Sequence, residues 1–83
     1  MELELTQHAI DAMNERLIAL ERVEDAVSEP ELRTPDPVDP ELERFYRRIP
    51  PRDDRVLRVV VNTRFAPWRI VSVFFDRRMR RML

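Results

Sequence analysis

The most constraining feature of this sequence is the absence of glycine from all 83 residues. Glycine adopts positive φ angles without steric cost, so a chain without it must build its turns from other residues. Pro, Asn and Asp are the turn formers that remain, and we expect every turn to use one of them. Glycine-rich phosphate loops and dinucleotide-binding fingerprints are excluded for the same reason.

The length predicts one domain over residues 1–83, and 43% hydrophobic residues suffice for one core. A chain this short buries only about 60% of the surface that its unfolded state exposes, so a partner or second copy would add stability. Because the chain has one His and no Cys, we expect no metal site, and we expect no cofactor. The N-terminus does not resemble a signal peptide, and no apolar run is long enough to span a membrane. We therefore expect a cytoplasmic protein.

The charge is divided between the two halves of the chain. Residues 1–43 carry thirteen acids and three Arg, a net charge of −10, whereas residues 44–83 carry three acids and twelve Arg, a net charge of +9. Such asymmetry is typical of polyanion binding by the basic half, and the alternative is that the two halves pair with each other. All fifteen basic residues are Arg, whose planar fork suits phosphate. GC-rich coding bias, which needs no functional reason, is the preferred explanation for this choice of residue.

The first part of the chain, 6–28, has a helical pattern. Thr6 suits an N-cap, and apolar residues recur at helical spacing from Ala9 to Leu17 and again from Leu20 to Val27. Pro30 ends the second run. Whether this segment forms one helix or two is left open by the pattern itself.

The four prolines of segment 29–41 predict an irregular connector, with an edge strand around Leu32–Thr34 as one alternative. Three strand candidates follow, at 42–49, 55–62 and 68–75, separated by hairpin loops at 50–54 and 62–67. Short loops between consecutive strands predict an antiparallel sheet over 42–76. The helical segment must cover one face of this sheet, which gives an α+β fold of two layers.

The clearest strand, 55–62, carries apolar residues on both faces. Leu57, Val59 and Val61 share the face expected to pack on the helices, whereas Val56 and Val60 flank Arg58 on the other. An apolar outer face rimmed by Arg favours a dimer or partner surface, and the alternative is a small second core closed by the C-terminal tail. That basic tail, 77–83, could dock on the domain, bind nucleic acid or lie on an anionic membrane.

The segments "HAIDAMNERLI", "VEDAVSEP", "VLRVVVN" and "IVSVFFDRR" together resemble a bacterial family of domains of unknown function, whose helix carries a His-Ala…Arg-x-Ile pattern. That family is similar to the RelE/ParE and BrnT toxins, and the resemblance covers nearly the whole chain. Family members usually have Gly where this chain has Leu17, which implies two helices with a turn near 17–19. The fold that we expect is therefore two N-terminal helices packed on one face of a three- to four-stranded antiparallel sheet.

The resemblance implies a metal-independent ribonuclease, in which the RNA 2′-hydroxyl attacks the adjacent phosphate. This chemistry needs a positive cluster facing the phosphate and a group that moves protons. Arg58, Arg69 and Arg77 are candidates for the cluster, and His8 or Tyr46 for the proton carrier. The chain departs from the active toxins because it has no Lys and because its last predicted strand ends in Phe-Phe-Asp.

Helical spacing separates His8 and Arg16 by roughly 12 Å along one side of the first helix, too far for a direct dyad. Arg16 falls near the middle of the apolar stripe, where it needs a partner or a groove. For His8 a structural role outweighs a catalytic one. The candidate catalytic residues are thus His8, Arg16, Tyr46, Arg58 and Arg77, and the candidate nucleic-acid contacts are Arg47, Arg48, Arg55, Arg69 and Arg78.

We therefore expect a small toxin-like domain that binds RNA, or cleaves it without a metal, through an Arg-rich sheet. RNA or the ribosome, an antitoxin-like protein and a second copy of the chain are the expected partners. The alternative is a non-enzymatic interaction module that dimerises or binds an acidic partner.

Overall fold

The structure is a computed structural model that describes residues 2–49 and 55–83. Its helices and strands follow the chain in this order: β1 Leu3–Leu5, α1 Gln7–Arg16, α2 Leu20–Ser28, β2 Leu32–Pro35, β3 Leu42–Ile49, β4 Arg55–Asn62 and β5 Trp68–Phe75. A short 3-10 helix, Arg78–Arg81, ends the described chain. The hairpin loop predicted at 50–54 lies outside the described residues.

The sheet has five strands in the order β1-β5-β4-β3-β2, and β1 runs parallel to β5 whereas the other neighbours are antiparallel. The prediction of a three- to four-stranded antiparallel sheet is therefore wrong in strand number and in strand direction. The missed strand β1 is only three residues long, and its partner β5 lies more than sixty residues away along the chain. Local periodicity does not detect such pairing, because the partner's edge supplies the hydrogen bonds.

The other short strand, β2, lies in the proline-rich segment at the opposite edge of the sheet. Proline lacks the N–H that donates to a neighbouring strand. Pro35 is tolerated in β2 because an edge strand forms hydrogen bonds with a neighbour on one side only. This confirms the edge strand considered around Leu32–Thr34. β3, β4 and β5 form over 42–49, 55–62 and 68–75, the segments predicted as strands.

Helix α1 begins and ends at specific capping residues. The Thr6 hydroxyl accepts a hydrogen bond from the Ala9 N–H at 3.1 Å, as expected of an N-cap. At the C-terminus Leu17 adopts a left-handed conformation, with φ 55° and ψ 47°, and the Ile18 N–H donates to the Met13 carbonyl at 2.9 Å. This is the Schellman arrangement, in which the buried Ile18 and Met13 side chains also belong to the core.

The segment 6–28 therefore forms two helices, as the family resemblance implied. The expectation that every turn would use Pro, Asn or Asp is wrong at this turn, because the residue with positive φ is a leucine.

The core lies between the two helices and one face of the sheet. Its strand residues include the predicted trio Leu57, Val59 and Val61, all fully buried. The helices and the turn between them contribute the following residues: Ala9, Met13, Ile18, Val23, Ala26 and Val27. A register shift between Val60 and Val61 lets β5 place both Ile70 and Val73 in this core, which strict alternation would not allow.

The opposite side of the sheet is here called the open face. It carries the alternate residues of β3, β4 and β5, whose side chains point away from the helices. Its members are Arg44, Tyr46, Arg48, Val56, Arg58, Val60, Arg69, Ser72 and Phe74. Val56 and Val60 are buried although no α-helix packs on them. The C-terminal 3-10 helix lies against β4, and the Asp76 N–H donates to the Val56 carbonyl at 2.8 Å. The tail thus covers one end of the open face.

Candidate nucleic-acid interface

The centre of the open face is a row of three side chains on neighbouring strands. Tyr46 lies opposite Arg58, and Arg58 lies opposite Phe74. The Arg58 guanidinium carbon is 3.8 Å from the centroid of the Phe74 ring, and its Nη1 is 3.5 Å from Asp76 Oδ2. The sheet therefore holds this guanidinium against an aromatic ring and a carboxylate, with 16% of its side chain exposed.

The Arg58 Nε–H has no acceptor in the part of the chain that the structure describes. A buried donor without an acceptor costs about 1–3 kcal/mol, so folded proteins rarely keep one without a functional reason or an ordered water. Arg58 is thus the predicted residue with the strongest physical reason to bind an anion.

Arg44, beside Tyr46, is occupied by a structural contact. Its Nε donates to Asp36 Oδ1 at 2.9 Å. Burial opposes the charge of Arg44, but hydrogen bonds with Tyr46 and Asp36 outweigh it, so the pKa of the guanidinium is raised. The pKa of Asp36 is lowered, first by the N–H groups of Asp39 and Val38 and then by Arg44. This pair anchors the connector to the sheet.

At the other end of the open face Arg69 contacts two groups. Its guanidinium lies 3.7 Å from the centroid of the Phe65 ring, and its Nη2 lies 3.1 Å from Glu4 Oε1 on β1. Phe65 is 42% exposed, which is unusual for so large an apolar ring. The open face thus carries two Arg–aromatic pairs, one at its centre and one at this end.

His8 and Arg16 line the same small cavity of about 230 Å³. Its other lining residues belong to α1, except Ser72 of β5. Asp11 and Glu15 line it as well, so its lining holds two carboxylates beside one guanidinium and one imidazole. His8 is exposed and forms no hydrogen bond with the described residues. Arg16 is the last residue of α1, and its side chain is 42% exposed. Its Nη1 lies 3.6 Å from Glu15 Oε2. The expectation that Arg16 lies in the middle of the buried stripe is wrong, because the helix ends there.

A larger cavity of about 360 Å³ lies where β4 begins and β5 ends. The residues that line it are Arg55, Val56, Phe75, Asp76, Arg77 and Arg80. The Arg55 guanidinium lies 5.2 Å from the centroid of the Phe75 ring. Arg48 holds the tail beside this cavity, because its Nη2 donates to the carbonyl oxygens of Arg80, at 3.2 Å, and Leu83.

The structure thus brings Tyr46, Arg48, Arg58 and Arg69 onto one face. Arg77 and Arg78 lie in the adjoining tail, and the Arg78 N–H donates to Asp76. Arg47 lies on the other side of the sheet, where it donates to the Glu29 carbonyl at 2.6 Å. Sequence reasoning did not identify the contacts of Arg58 with Phe74 and Asp76, because local alternation does not fix the register of β5 against β4.

Six ion pairs are present in the described residues, and three of them join the acidic half to the basic half: Arg44–Asp36, Arg64–Glu41 and Arg69–Glu4. Pairing between the halves therefore accounts for part of the charge segregation. In the described ranges Arg48, Arg55, Arg77 and Arg78 form no ion pair, which leaves a positive surface at the tail end of the sheet.

Within residues 2–49 and 55–83, no group of three or more His, Asp or Glu side chains is placed to hold a metal ion. No helix in those ranges has the length and apolar character needed to cross a membrane.

Comparison with known proteins gives one match. Residues 5–75, which include both helices and all of β2 to β5, match the family described as "Domain of unknown function (DUF4258)". No curated protein and no solved structure matches the chain.

Proposed function

This chain is a member of the DUF4258 family, and we propose that it binds single-stranded RNA through the open face. The observation that carries the proposal is Arg58, held between Phe74 and Asp76 at the centre of that face with one donor lacking an acceptor. The resemblance of the chain to the RelE/ParE and BrnT toxins supports RNA as the polyanion.

Single-stranded RNA suits the arrangement of aromatic rings and arginines better than a duplex does. Proteins recognise unpaired RNA by stacking its bases on aromatic side chains or on guanidinium planes, and by contacting its phosphates with Arg. The pairs Arg58–Phe74 and Arg69–Phe65 supply both kinds of contact on one face. Arg69 is paired with Asn62, which is four residues from Arg58 along β4. The two arginines would therefore contact different nucleotides of one extended strand.

Binding is favoured over cleavage because neither candidate proton carrier is both exposed and beside the arginine cluster. Cleavage requires a group within hydrogen-bond reach of the proton that it moves. Tyr46 is adjacent to Arg58 but is only 4% exposed and is engaged by Arg44. His8 lies in a separate cavity, which is lined by α1 residues and Ser72 and does not include Arg58. Metal-independent cleavage of RNA, as in the toxins that the chain resembles, is therefore the second activity to test for this protein.

The alternative function, an interaction module that dimerises through an apolar outer face, has less support. Its apolar residues Val56 and Val60 are 1% and 7% exposed within the single chain, so they offer little surface to a partner. Docking surfaces need contiguous exposed apolar area.

The proposal is tested by filter binding of an unstructured RNA oligonucleotide over a series of salt concentrations. We expect affinity to fall as salt rises, because phosphate contacts release counterions. Arg58→Gln should weaken binding about tenfold, the loss of one charged hydrogen-bonding group. Arg64→Gln is the matched control, because it removes the same charge from an exposed loop residue and should change affinity less than about twofold.

Absence of RNA binding at low salt would overturn the proposal, as would equal losses in the two variants. Arg58→Lys separates charge from geometry, since a lysine keeps the charge but loses the planar fork. The same samples, incubated with RNA and a chelator, test cleavage.

A toxin-like activity predicts growth arrest when the protein is expressed. His8→Ala or Arg58→Ala should relieve this arrest, and a co-expressed antitoxin-like protein should relieve it as well.

A further inference from the structure

We propose that a cleft at the Phe65 end of the open face binds one unpaired base of the RNA strand. This inference rests on the proposed RNA binding and adds to it a pocket for a base, beyond the arginines of the face. The cleft, here called the base cleft, has a volume of about 390 Å³. Residues 2–3 and residues 63–68, which join β4 to β5, line it.

The base cleft presents two aromatic rings. Phe65 and Trp68 line it together with Leu3 and Pro67, so most of its surface is apolar. Every base has a π face, so any base can stack on such rings. Glu2 is the one acidic residue in the lining, and a carboxylate accepts hydrogen bonds from the amino groups of bases. The volume lies near the lower end of ligand pockets, which suits one nucleoside.

Phe65 joins the base cleft to the open face. Its ring lines the cleft and also lies 3.7 Å from the guanidinium carbon of Arg69. Arg64, a further lining residue, has a side chain that is 64% exposed. The two arginines pair with Glu4 and Glu41, but such exposed ion pairs are weak, so phosphates can share both guanidinium groups. A base with its flanking phosphates therefore matches the rings and the charges together, whereas an apolar side chain would match only the rings.

Contacts behind the base cleft hold its lining in place. The Trp68 ring packs on the buried Phe45 ring, with 5.7 Å between their centroids, and the Arg33 guanidinium carbon lies 5.3 Å from the Trp68 centroid. Arg33 donates to both carboxylate oxygens of Glu43, at 2.7 and 2.9 Å. The hydroxyl of Thr63, a lining residue, donates to the same carboxylate at 2.9 Å. A cleft that is already formed loses little conformational freedom when it binds a ligand.

Trp68 is the only tryptophan of the chain, so its fluorescence reports directly on the base cleft. The test adds to the full chain either an unstructured RNA oligonucleotide or a backbone of equal length that lacks bases. We expect the RNA to quench Trp68 fluorescence as it binds. The backbone without bases, which carries the same phosphates, should leave the fluorescence unchanged. Free adenosine should quench it at higher concentration, whereas ribose 5-phosphate should not.

Variants at Phe65 separate stacking from apolar contact. Phe65→Ala should weaken RNA binding about tenfold, the loss of one stacked base. Phe65→Leu should lose nearly as much, because it keeps an apolar side chain without the ring, and Phe65→Tyr should retain the affinity. Leu20→Ala is the matched control, because Leu20 is 43% exposed, close to the 42% of Phe65, and lies on α2 outside the cleft. Its affinity for RNA should equal that of the parent.

RNA that binds on a filter without quenching Trp68 would overturn this inference and leave the proposed RNA binding intact. Equal losses of affinity in Phe65→Ala and Leu20→Ala would overturn it as well. Quenching by N-acetylphenylalaninamide but not by adenosine would also contradict it, because the cleft would then bind an apolar side chain of a protein partner. Failure of RNA to bind at low salt would refute the proposed function, and this inference with it.

Discussion

Replacing Leu17 with glycine should stabilise the protein, although it deletes a whole leucine side chain. Leu17 ends α1 in the left-handed region, where the Cβ of an L-residue lies too close to the following carbonyl oxygen. The side chain is mostly outside the core, since the residue is 82% exposed. Glycine retains the N–H that donates to the Asn14 carbonyl and has no Cβ to create strain.

The magnitude follows from three contributions. Relief of left-handed strain is worth about 1.5 kcal/mol. The greater freedom of glycine in the unfolded chain costs about 0.7 kcal/mol. The small buried fraction of Leu17 is worth about 0.3 kcal/mol, because full burial of a leucine contributes about 2 kcal/mol. The free energy of unfolding should therefore rise by about 0.5 kcal/mol, which corresponds to a Tm increase of about 2–4 °C in a domain of this size.

Urea unfolding followed by circular dichroism measures the effect. For a small domain with an m-value of about 1 kcal/mol/M, the midpoint should move upward by about 0.5 M with no change in m. Two controls separate strain from burial. Leu17→Ala loses the buried contacts and keeps the strain, so it should be no more stable than the parent. Leu17→Asn tolerates the left-handed region without the full entropic penalty of glycine, so it should be at least as stable as the parent.

The reasoning is refuted if Leu17→Gly and Leu17→Asn both unfold at lower urea concentration than the parent. Such a result would mean that the Leu17 side chain stabilises the turn through contacts that its exposure does not reveal. A stabilised Leu17→Ala would refute it differently, because strain could not then be the cause.

Three further predictions concern the arginines and their partners. Glu43 accepts hydrogen bonds from Arg33 and Thr63, which hold the pKa of its carboxyl below the ordinary value of 4.5. The contacts of the Glu43 carboxylate therefore contribute fully to stability above the ordinary pKa of 4.5, and this contribution is lost as the pH falls. In urea titrations between about pH 5 and about pH 3, the free energy of unfolding of Glu43→Gln should fall less than that of the parent. Arg33 itself stacks 4.7 Å from the Phe45 centroid and forms two hydrogen bonds with Glu43, so Arg33→Lys should lower the unfolding free energy by about 1 kcal/mol, whereas Arg64→Lys, at an exposed pair, should leave it unchanged. Arg48→Ala should speed amide hydrogen exchange in residues 78–83, and a variant with unaltered exchange would show that Arg48 does not position the tail.

The candidate interface could be predicted only in part. The sequence placed Arg58 on the outer face of its clearest strand, and the family resemblance made Arg58 and Tyr46 candidate site residues. It did not identify the contacts of Arg58, because Phe74 and Asp76 come from a strand whose register depends on the irregularity at Val60 and Val61. A register change of one residue exchanges the two faces of a strand, so local alternation cannot decide which aromatic residue of β5 lies beside Arg58.

The elements of this protein are determined by the sequence alone wherever a pattern continues over several residues. The Thr6 cap, the helical spacing up to Arg16 and the alternation in β4 are all local, and the structure contains each of them. The tertiary structure alone decided the parallel strand β1, the left-handed conformation of Leu17 and the way in which the tail closes over Val56. The energy for each of these comes from residues distant in the chain: β5 hydrogen-bonds β1, strand residues such as Leu57 and Val59 share one core with Ile18, and Arg48 binds the tail. A local sequence cannot reveal a conformation whose stabilising partners lie elsewhere in the chain.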